Sequence, residues 1–469
     1  MEQGREECLY MCRWISVWLC RILRHGAGGI CSLLLVVSAV VVGFLPNRYD
    51  TCFAVESAER LFQPAVYETQ SLVVHTDLPA AETKLMMRRL DAMIDRIAKY
   101  WKRPLRGQIQ CYLVRDLDVW SSADFPHPRV KTVLRHIGGI TISHSQTNDF
   151  QATVYATCKP GVIEHEVVHA YCGQTFGRYG PDWYKEGMAS VACHLTSKGT
   201  GLRCSPEVMD GIRQNPPLSV REITDAGKFT LPLQKLWKRL SDLEIASDDR
   251  FVSPSPEIWG ASQDELMQRV AKSYRWSWAL CYFLVNNDNY SGHFRTLGQH
   301  YLTGKDTRFE DFFRPVYRQL VFEFDLFVKN LDQGYNVELS RWNWKCLFSS
   351  LDRGATAATQ VKAAGGFQPS GCILTAGETY NFRLSGQWRT HSHRVHQETE
   401  GEQADKNAIL LGALLTGNQL CDEFELKPNC QFISPVTGQL YLRCYDHWNQ
   451  LADNSGSLRL RISHQRLTK

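Results

Sequence analysis

The sequence predicts an α+β domain, a mixed sheet with a helical subdomain, followed by an all-β sandwich. Three observations lead there. Between residues 71 and 157, short apolar strands surround a helix whose apolar positions recur every three or four residues; from 182 to 331 the apolar segments lengthen and read as helices; beyond 366 they become short, alternating and divided by turns. A length of 469 residues suits two or three domains, and 43% hydrophobic with 11% aromatic residues suits globular folding rather than disorder. The net charge of +4 is small and comes partly from arginines at the extreme N-terminus, so composition gives no electrostatic footprint for nucleic acid.

Taken in order, residues 1–54 read as a targeting segment. Ile30 to Leu45 is an uncharged apolar run of 16 residues preceded by Arg13, Arg21 and Arg24. That is a basic n-region and an apolar h-region, slightly short for a membrane span. It is either a secretory signal cleaved after Ala54 or an uncleaved anchor; in both cases the body is exported and membrane contact is confined to the N-terminus. Of 16 cysteines, eleven lie beyond residue 54. Export permits disulfides, but the spacing sets no connectivity.

The first domain is expected over residues 60–350. Ser71 to His75 reads as a strand. Pro79 and Glu82 open a helix carrying Met86, Leu90, Met93, Ile97 and Trp101, and Gln108 to Val114, Gly139 to Ser143 and Gln151 to Thr157 read as further strands. Later, Ser273 to Asn286 is apolar on most faces and predicts a buried helix, as does Phe309 to Leu331. Asp242 to Gln263, with Pro254 and Pro256, predicts a long surface loop. Gly354 to Gly366, rich in Ala, Gly and Thr, marks a boundary before the sandwich of residues 367–469, whose strands include Tyr380 to Leu384, Ile409 to Leu415, Gly438 to Cys444 and Ser457 to Ile462.

Between the third and fourth of those early segments and the helical half stands the chemistry. The run Glu164-His165-Glu166-Val167-Val168-His169 is followed by Trp183-Tyr184-Lys185-Glu186-Gly187-Met188-Ala189. On a helix, positions i and i+4 share a face, so His165 and His169 can aim at one metal ion. Glu166 lies about 100° around the helix from His165 and can reach a water beside the metal without ligating it. Val162, Ile163, Val167, Val168 and Ala170 make the segment apolar, as a buried helix requires. Pro181 and Asp182 then favour the start of a second helix that carries Glu186.

With these residues the chain resembles the gluzincin clan of zinc metallopeptidases, in which W-x-x-E-G-x-A on a following helix supplies the third ligand. Trp183, Glu186, Gly187 and Ala189 stand at those places. The resemblance implies a zincin-like fold, zinc held by His165, His169 and Glu186, Glu166 as general base, and a peptide or protein substrate lying along a sheet-edge strand. Gly139 to Ser143 and Gln151 to Thr157 are both candidates for that edge. It also implies an oxyanion-stabilising side chain from the helical half, for which Tyr274 is the candidate. A metzincin would need Gly at position 172 and His at 175, where this chain has Cys172 and Thr175.

In the C-terminal part, Asp446 to Ser457 concentrates oxygen donors in a hairpin loop between two strands, the ligand type calcium prefers. From about Pro369 to Ile462, including Ala376-Gly377-Glu378 and Asn454-Ser455-Gly456-Ser457, the chain resembles the bacterial calcium-dependent galactophilic lectins. The resemblance implies calcium bound by the side chains of Asp446, Asp453 and Asn454 and the carbonyl of Gln450, with another carbonyl near Thr390 or His391. It implies glycans or glycoproteins as partners. Asp453 stands where that family usually has Asn, and the loop that helps it select galactose has no clear counterpart. The expectation is an exported zinc metallopeptidase with a calcium- and carbohydrate-binding accessory domain. The alternative is a secreted or surface carbohydrate-binding protein whose first domain is mainly scaffold.

Overall fold

Side-chain alternation along five strands builds the first sheet, in the order β1 (Ala65–Glu68), β2 (Leu72–Thr76), β3 (Ile109–Val114), β5 (Asp149–Thr157) and β4 (Gly139–Gln146). The computed structural model describes residues 63–465 except 128–129, 137, 147–148, 194–203, 205, 226–234, 236–255, 391–394 and 399–408. The apolar run from Ile30 to Leu45, Ala54 and His391 lie outside the described residues. Among the described residues no helix is long and apolar enough to cross a membrane, and each of the eleven cysteines is a free thiol.

Leu72 and Val74 of β2, Ile109, Cys111 and Leu113 of β3, and Ala152, Val154 and Ala156 of β5 are buried in one core with Leu90, Met93 and Ile97 of helix Ala80–Trp101. This is the period-2 pattern of a sheet with one face against helices. Val114 and Tyr155 belong instead to a second cluster with Trp120, Phe125, Val130 and Leu134. β2, β3 and β5 run parallel, with Ala80–Trp101 as the crossover from β2 to β3, while β4 pairs antiparallel with β5 alone. Of the two candidate edges, β4 is therefore the edge among the described residues, and β5 is paired on both sides.

Helices dominate from Asp182–Ala192 to Tyr317–Lys329. Two expectations change here. The loop predicted over Asp242 to Gln263 is helical from residue 256, because helix Pro256–Asn286 runs 31 residues from a proline at its start, where the missing N–H is harmless; the rest of that loop lies outside the described residues. The single helix predicted over Phe309 to Leu331 is two, Phe309–Phe313 and Tyr317–Lys329, separated by a 3-10 turn at Arg314–Val316. Pro315, which has no N–H to give the helix, sits in that turn.

Glu323, 2% exposed, ties this half together. Its carboxylate accepts from Asn287 Nδ2 at 2.8 Å, Asn289 Nδ2 at 3.0 Å, Tyr290 Oη at 2.6 Å, the Trp342 backbone N–H at 3.0 Å and Trp344 Nε1 at 2.6 Å. Five donors compensate a charge that burial would otherwise forbid.

The chain is a mixed α/β structure whose C-terminal region is rich in strands. One sheet there runs β10 (Val395–Glu398), β9 (Thr379–Arg389), β16 (Ser455–His464) and β7 (Thr356–Lys362), with β14 (Cys430–Ile433) also on β9. The other runs β12 (Gln419–Leu420), β11 (Leu410–Thr416), β15 (Gly438–Cys444), β8 (Gln368–Leu374) and β6 (Ser349–Ser350), with β13 (Phe424–Leu426) on β11. Tyr380, Phe382, Leu458, Leu460 and Ile462 from the first meet Leu374, Leu410, Leu414, Leu440 and Leu442 from the second in one core.

The boundary expected at Gly354 to Gly366 is a strand instead. β7 pairs with β16 from Thr356↔Ser463 to Lys362↔Ser457; its alternating small and polar residues suit an edge strand with one face in solvent, and composition alone resembles a linker. Nor is there a gap between residues 350 and 367. Ala413, Leu415, Tyr441, Trp448 and Leu451 are buried in the same cluster as Phe327, Tyr335 and Trp342 of the helical half. The Trp342 and Tyr441 rings lie 4.2 Å apart, those of Tyr335 and Trp448 4.7 Å.

Candidate metal centre

Two left-handed glycines bound the helix that carries the first two candidate ligands: Gly161 (φ 85°) precedes Val162–Phe176, and Gly177 (φ 67°) follows it. Ile163, Val167, Val168, Ala170 and Tyr171 are buried, and Glu164, 4% exposed, is held by Arg89 Nη2 at 2.9 Å. His165 and His169 are left side by side on the remaining face. Their Nε2 atoms lie 3.1 Å apart. Glu186 Oε2, from helix Asp182–Ala192, lies 3.1 Å from the first and 3.2 Å from the second. Among the described residues this is the one group of three His, Cys, Asp or Glu side chains placed to hold a metal ion.

The triangle fits zinc. Donors about 2.0–2.1 Å from a tetrahedral zinc ion stand about 3.3 Å from one another, close to the observed edges. Two imidazole nitrogens and a carboxylate oxygen converging at this distance present their electron pairs to a common point, which a cation satisfies and a hydrogen-bond pattern alone cannot fully satisfy.

Burial is the largest influence on Glu186 and opposes its charge, yet His169 and His165 hold the carboxyl well below its usual range. Burial opposes charge on His165 too, but hydrogen bonds with Cys193 and Glu186, and the charges of Glu186 and Glu166, raise it well above the usual imidazole range. This favours the protonated imidazole, and a metal ion bound there would have to displace that proton. Zinc affinity should rise with pH through neutrality and level off once that proton is gone; calorimetry between about pH 6 and 8 in buffers of different ionisation enthalpy checks this through the protons released.

Glu166 is placed by the edge strand. Thr141 Oγ1 lies 2.8 Å from Glu166 Oε2 and 2.8 Å from its backbone carbonyl oxygen. Gly139, two residues earlier on the same face, allows the close approach: a Cβ there would sit 2.6 Å from Val162 Cγ1 and 3.0 Å from Glu166 Cγ. Thr141→Val keeps the shape and removes the hydrogen bond. If Glu166 does chemistry, this change should lower turnover about 10- to 100-fold with metal content unchanged, read by steady-state kinetics beside elemental analysis.

Gly187 has a similar steric reason. A Cβ would stand 2.5 Å from Cys281 Sγ and 2.6 Å from the Ser277 carbonyl oxygen on helix Pro256–Asn286. The Glu186 helix thus lies directly on backbone of the long helix. Gly187→Ala should destabilise the fold by about 1–3 kcal/mol through overpacking and weaken metal binding, since Glu186 moves with its helix; thermal melts with and without zinc separate the two effects.

Tyr274 comes to the site. Its ring stacks 6.1 Å from His165, and its hydroxyl hydrogen-bonds Glu186. Burial first, then the charges of Glu186 and Glu166, raise its pKa well above the usual phenol range, so it remains a proton donor. Sequence reasoning missed Thr141, Lys185 and the pair Ser143–Tyr179, whose hydroxyls lie 2.5 Å apart beside the His169 ring, edge-on to Tyr179 at 6.4 Å. Alternation along β4 from Gly139 would have pointed Thr141 and Ser143 at the helix; nothing in the sequence marks Tyr179.

In the C-terminal part the structure corrects the hairpin expected at Asp446 to Ser457. β15 and β16 belong to different sheets, so this segment is a crossover, with a 3-10 turn at Trp448–Asp453. The physical reason is Trp448 and Leu451, which are buried against the helical half, with Trp448 Nε1 3.0 Å from Asn330 Oδ1. Asp446 Oδ1 accepts from the His447 backbone N–H at 2.8 Å, while Asp446 Oδ2 and Asn454 Oδ1 are buried without a hydrogen-bond partner. Asp453 is exposed and Gln450 half-buried. Ser455 pairs with Arg389, which brings Thr390 alongside Asn454 in register.

No protein-family profile matches this chain, and no curated protein matches it. Among solved structures it is similar to the N-terminal domain of EclA, a PllA-like lectin, at 24% identity and a TM-score of 0.19, over 23% of this chain and 96% of that one.

Proposed function

We propose that this chain is a zinc-dependent peptide hydrolase with a calcium-binding accessory region. The observation that carries it is the triangle of His165 Nε2, His169 Nε2 and Glu186 Oε2, with edges of 3.1–3.2 Å, with a second carboxylate, Glu166, held beside it. The likeness of the two motifs to the gluzincin pattern supports the same reading, and with it a zincin-like fold. Zinc held there would polarise a scissile carbonyl and bring the pKa of water towards about 7. Glu166 is placed to take the proton from the attacking water and return it to the leaving amine. The Tyr274 hydroxyl is placed to donate to developing negative charge on the carbonyl oxygen. β4, which has no partner on its outer side among the described residues, would offer backbone groups to an extended peptide.

For the accessory region, Asp446 Oδ2 and Asn454 Oδ1 support calcium, because buried oxygens without partners are rare and a hard cation satisfies them. Asp453 and the Gln450 and Thr390 carbonyls would complete that shell, and glycans or glycoproteins are the partners such a site would engage. The chain as an exported protein, delivered by its N-terminal segment, belongs to the same reading.

Elemental analysis of the purified full-length chain tests it. One zinc per chain, retained in Glu166→Gln and lost in His165→Ala, supports the centre; no zinc in the wild type after reconstitution overturns it and leaves the carbohydrate-binding alternative in front.

A further inference from the structure

Lys185 precedes the third ligand in sequence and touches it in space. Its ammonium lies 2.9 Å from Asp182 Oδ1 and 3.1 Å from Glu186 Oε1. The Lys185 side chain is 23% exposed and that of Glu186 4%. The two oxygens of one buried carboxylate are therefore divided: Oε2 faces the imidazoles of His165 and His169, and Oε1 faces an ammonium.

The division has a chemical consequence. A carboxylate free to rotate can offer a metal either one oxygen or both, and the groups around a ligand decide which it does and how tightly the ion is held. A cation beside Oε1 competes for that oxygen. Lys185 could instead serve to recognise an anionic end of a substrate, but its ammonium is already paired with two carboxylates and has little charge left over. Asp182, on the first turn of the same helix and one turn before the ligand, fixes the lysine.

We propose that Lys185, anchored by Asp182, is a positioning residue that keeps Glu186 a one-oxygen ligand. The inference rests on the zinc reading above and adds to it what sets the ligand's mode. A lysine at this place withdraws electron density from the carboxylate, which leaves the metal more electrophilic than a free glutamate would.

The test uses the full-length chain with cobalt(II) in place of zinc, so that visible absorption reports coordination number, together with zinc affinity measured by competition with a chromophoric chelator. Lys185→Met should change zinc affinity by about 10- to 100-fold and weaken the cobalt bands as the second oxygen of Glu186 joins the shell. Lys185→Arg should keep the wild-type spectrum. Asp182→Asn should move the spectrum in the same direction as Lys185→Met and by less, and it decides the matter if circular dichroism shows Lys185→Met to be unfolded. Wild-type spectra and affinities in both Lys185→Met and Asp182→Asn overturn the positioning role alone. A wild-type chain that takes up neither zinc nor cobalt overturns the metal reading, and this inference with it.

Discussion

Glu166→Gln should lower peptide hydrolysis by about 10²- to 10⁴-fold, the usual contribution of a positioned acid–base group, while zinc stays bound. The amide keeps the length of the side chain and can still accept from Thr141 Oγ1, which lies 2.8 Å from Glu166 Oε2. What it loses is basicity. None of the three candidate ligands, His165, His169 and Glu186, depends on Glu166 Oε2 for the hydrogen bonds of the triangle, so metal content is expected to be that of the wild type. Turnover should fall through kcat, since no substrate contact is removed. Kinetics on a peptide library, with zinc measured on the same preparations, reads both. Hydrolysis at the wild-type rate in the variant would remove Glu166 from the mechanism and leave the metal site standing.

The largest effect on stability is expected at Glu323. Glu323→Leu removes the acceptor of five buried or half-buried donors at once, from Asn287, Asn289, Tyr290, Trp342 and Trp344. Leucine fills the space but accepts nothing, and orphaned buried donors are what make such changes severe. The expected loss is about 3–5 kcal/mol, or on the order of 10 °C in Tm. Glu323→Gln should be milder, because its carbonyl still accepts, although its amino group then faces donors. Differential scanning calorimetry of the three chains orders them; equal melting would show that the donors find water instead.

How far the sequence disclosed these features depends on their range. His165, Glu166 and His169 are legible because one helical turn brings them together. Glu186 is legible because its helix follows closely and Trp183, Gly187 and Ala189 frame it. The strands of the first sheet are legible because short apolar runs rich in β-branched residues, such as Leu72-Val73-Val74, have few alternatives. The split at Pro315 was open to reading from proline alone, and the apolar period on both sides hid it. Thr141 and Tyr179 reach the site through strand order and loop path, which no local pattern encodes. The strand Thr356–Lys362 and the crossover after Cys444 share one cause: which sheet a strand joins is decided by partners far along the chain. Glu323 gave no sign, since an acidic residue in a helix that also carries Asp325 looks like a solvated position until the donors around it are known.

The continuous core that joins Phe327, Tyr335 and Trp342 to Tyr441, Trp448 and Leu451 bears on how such a protein could arise and be taken apart. Modules that recombine freely between genes carry a finished outer surface and travel on a linker. These C-terminal sheets do neither. A fragment cut at Pro369 would leave β16 without its β7 neighbour from Ser457 to Ser463 and expose the Trp448 and Leu451 side chains to water. Grafted onto another protein as a targeting tag, it would sooner aggregate than fold. The two parts share one core, and they have to be expressed and engineered together.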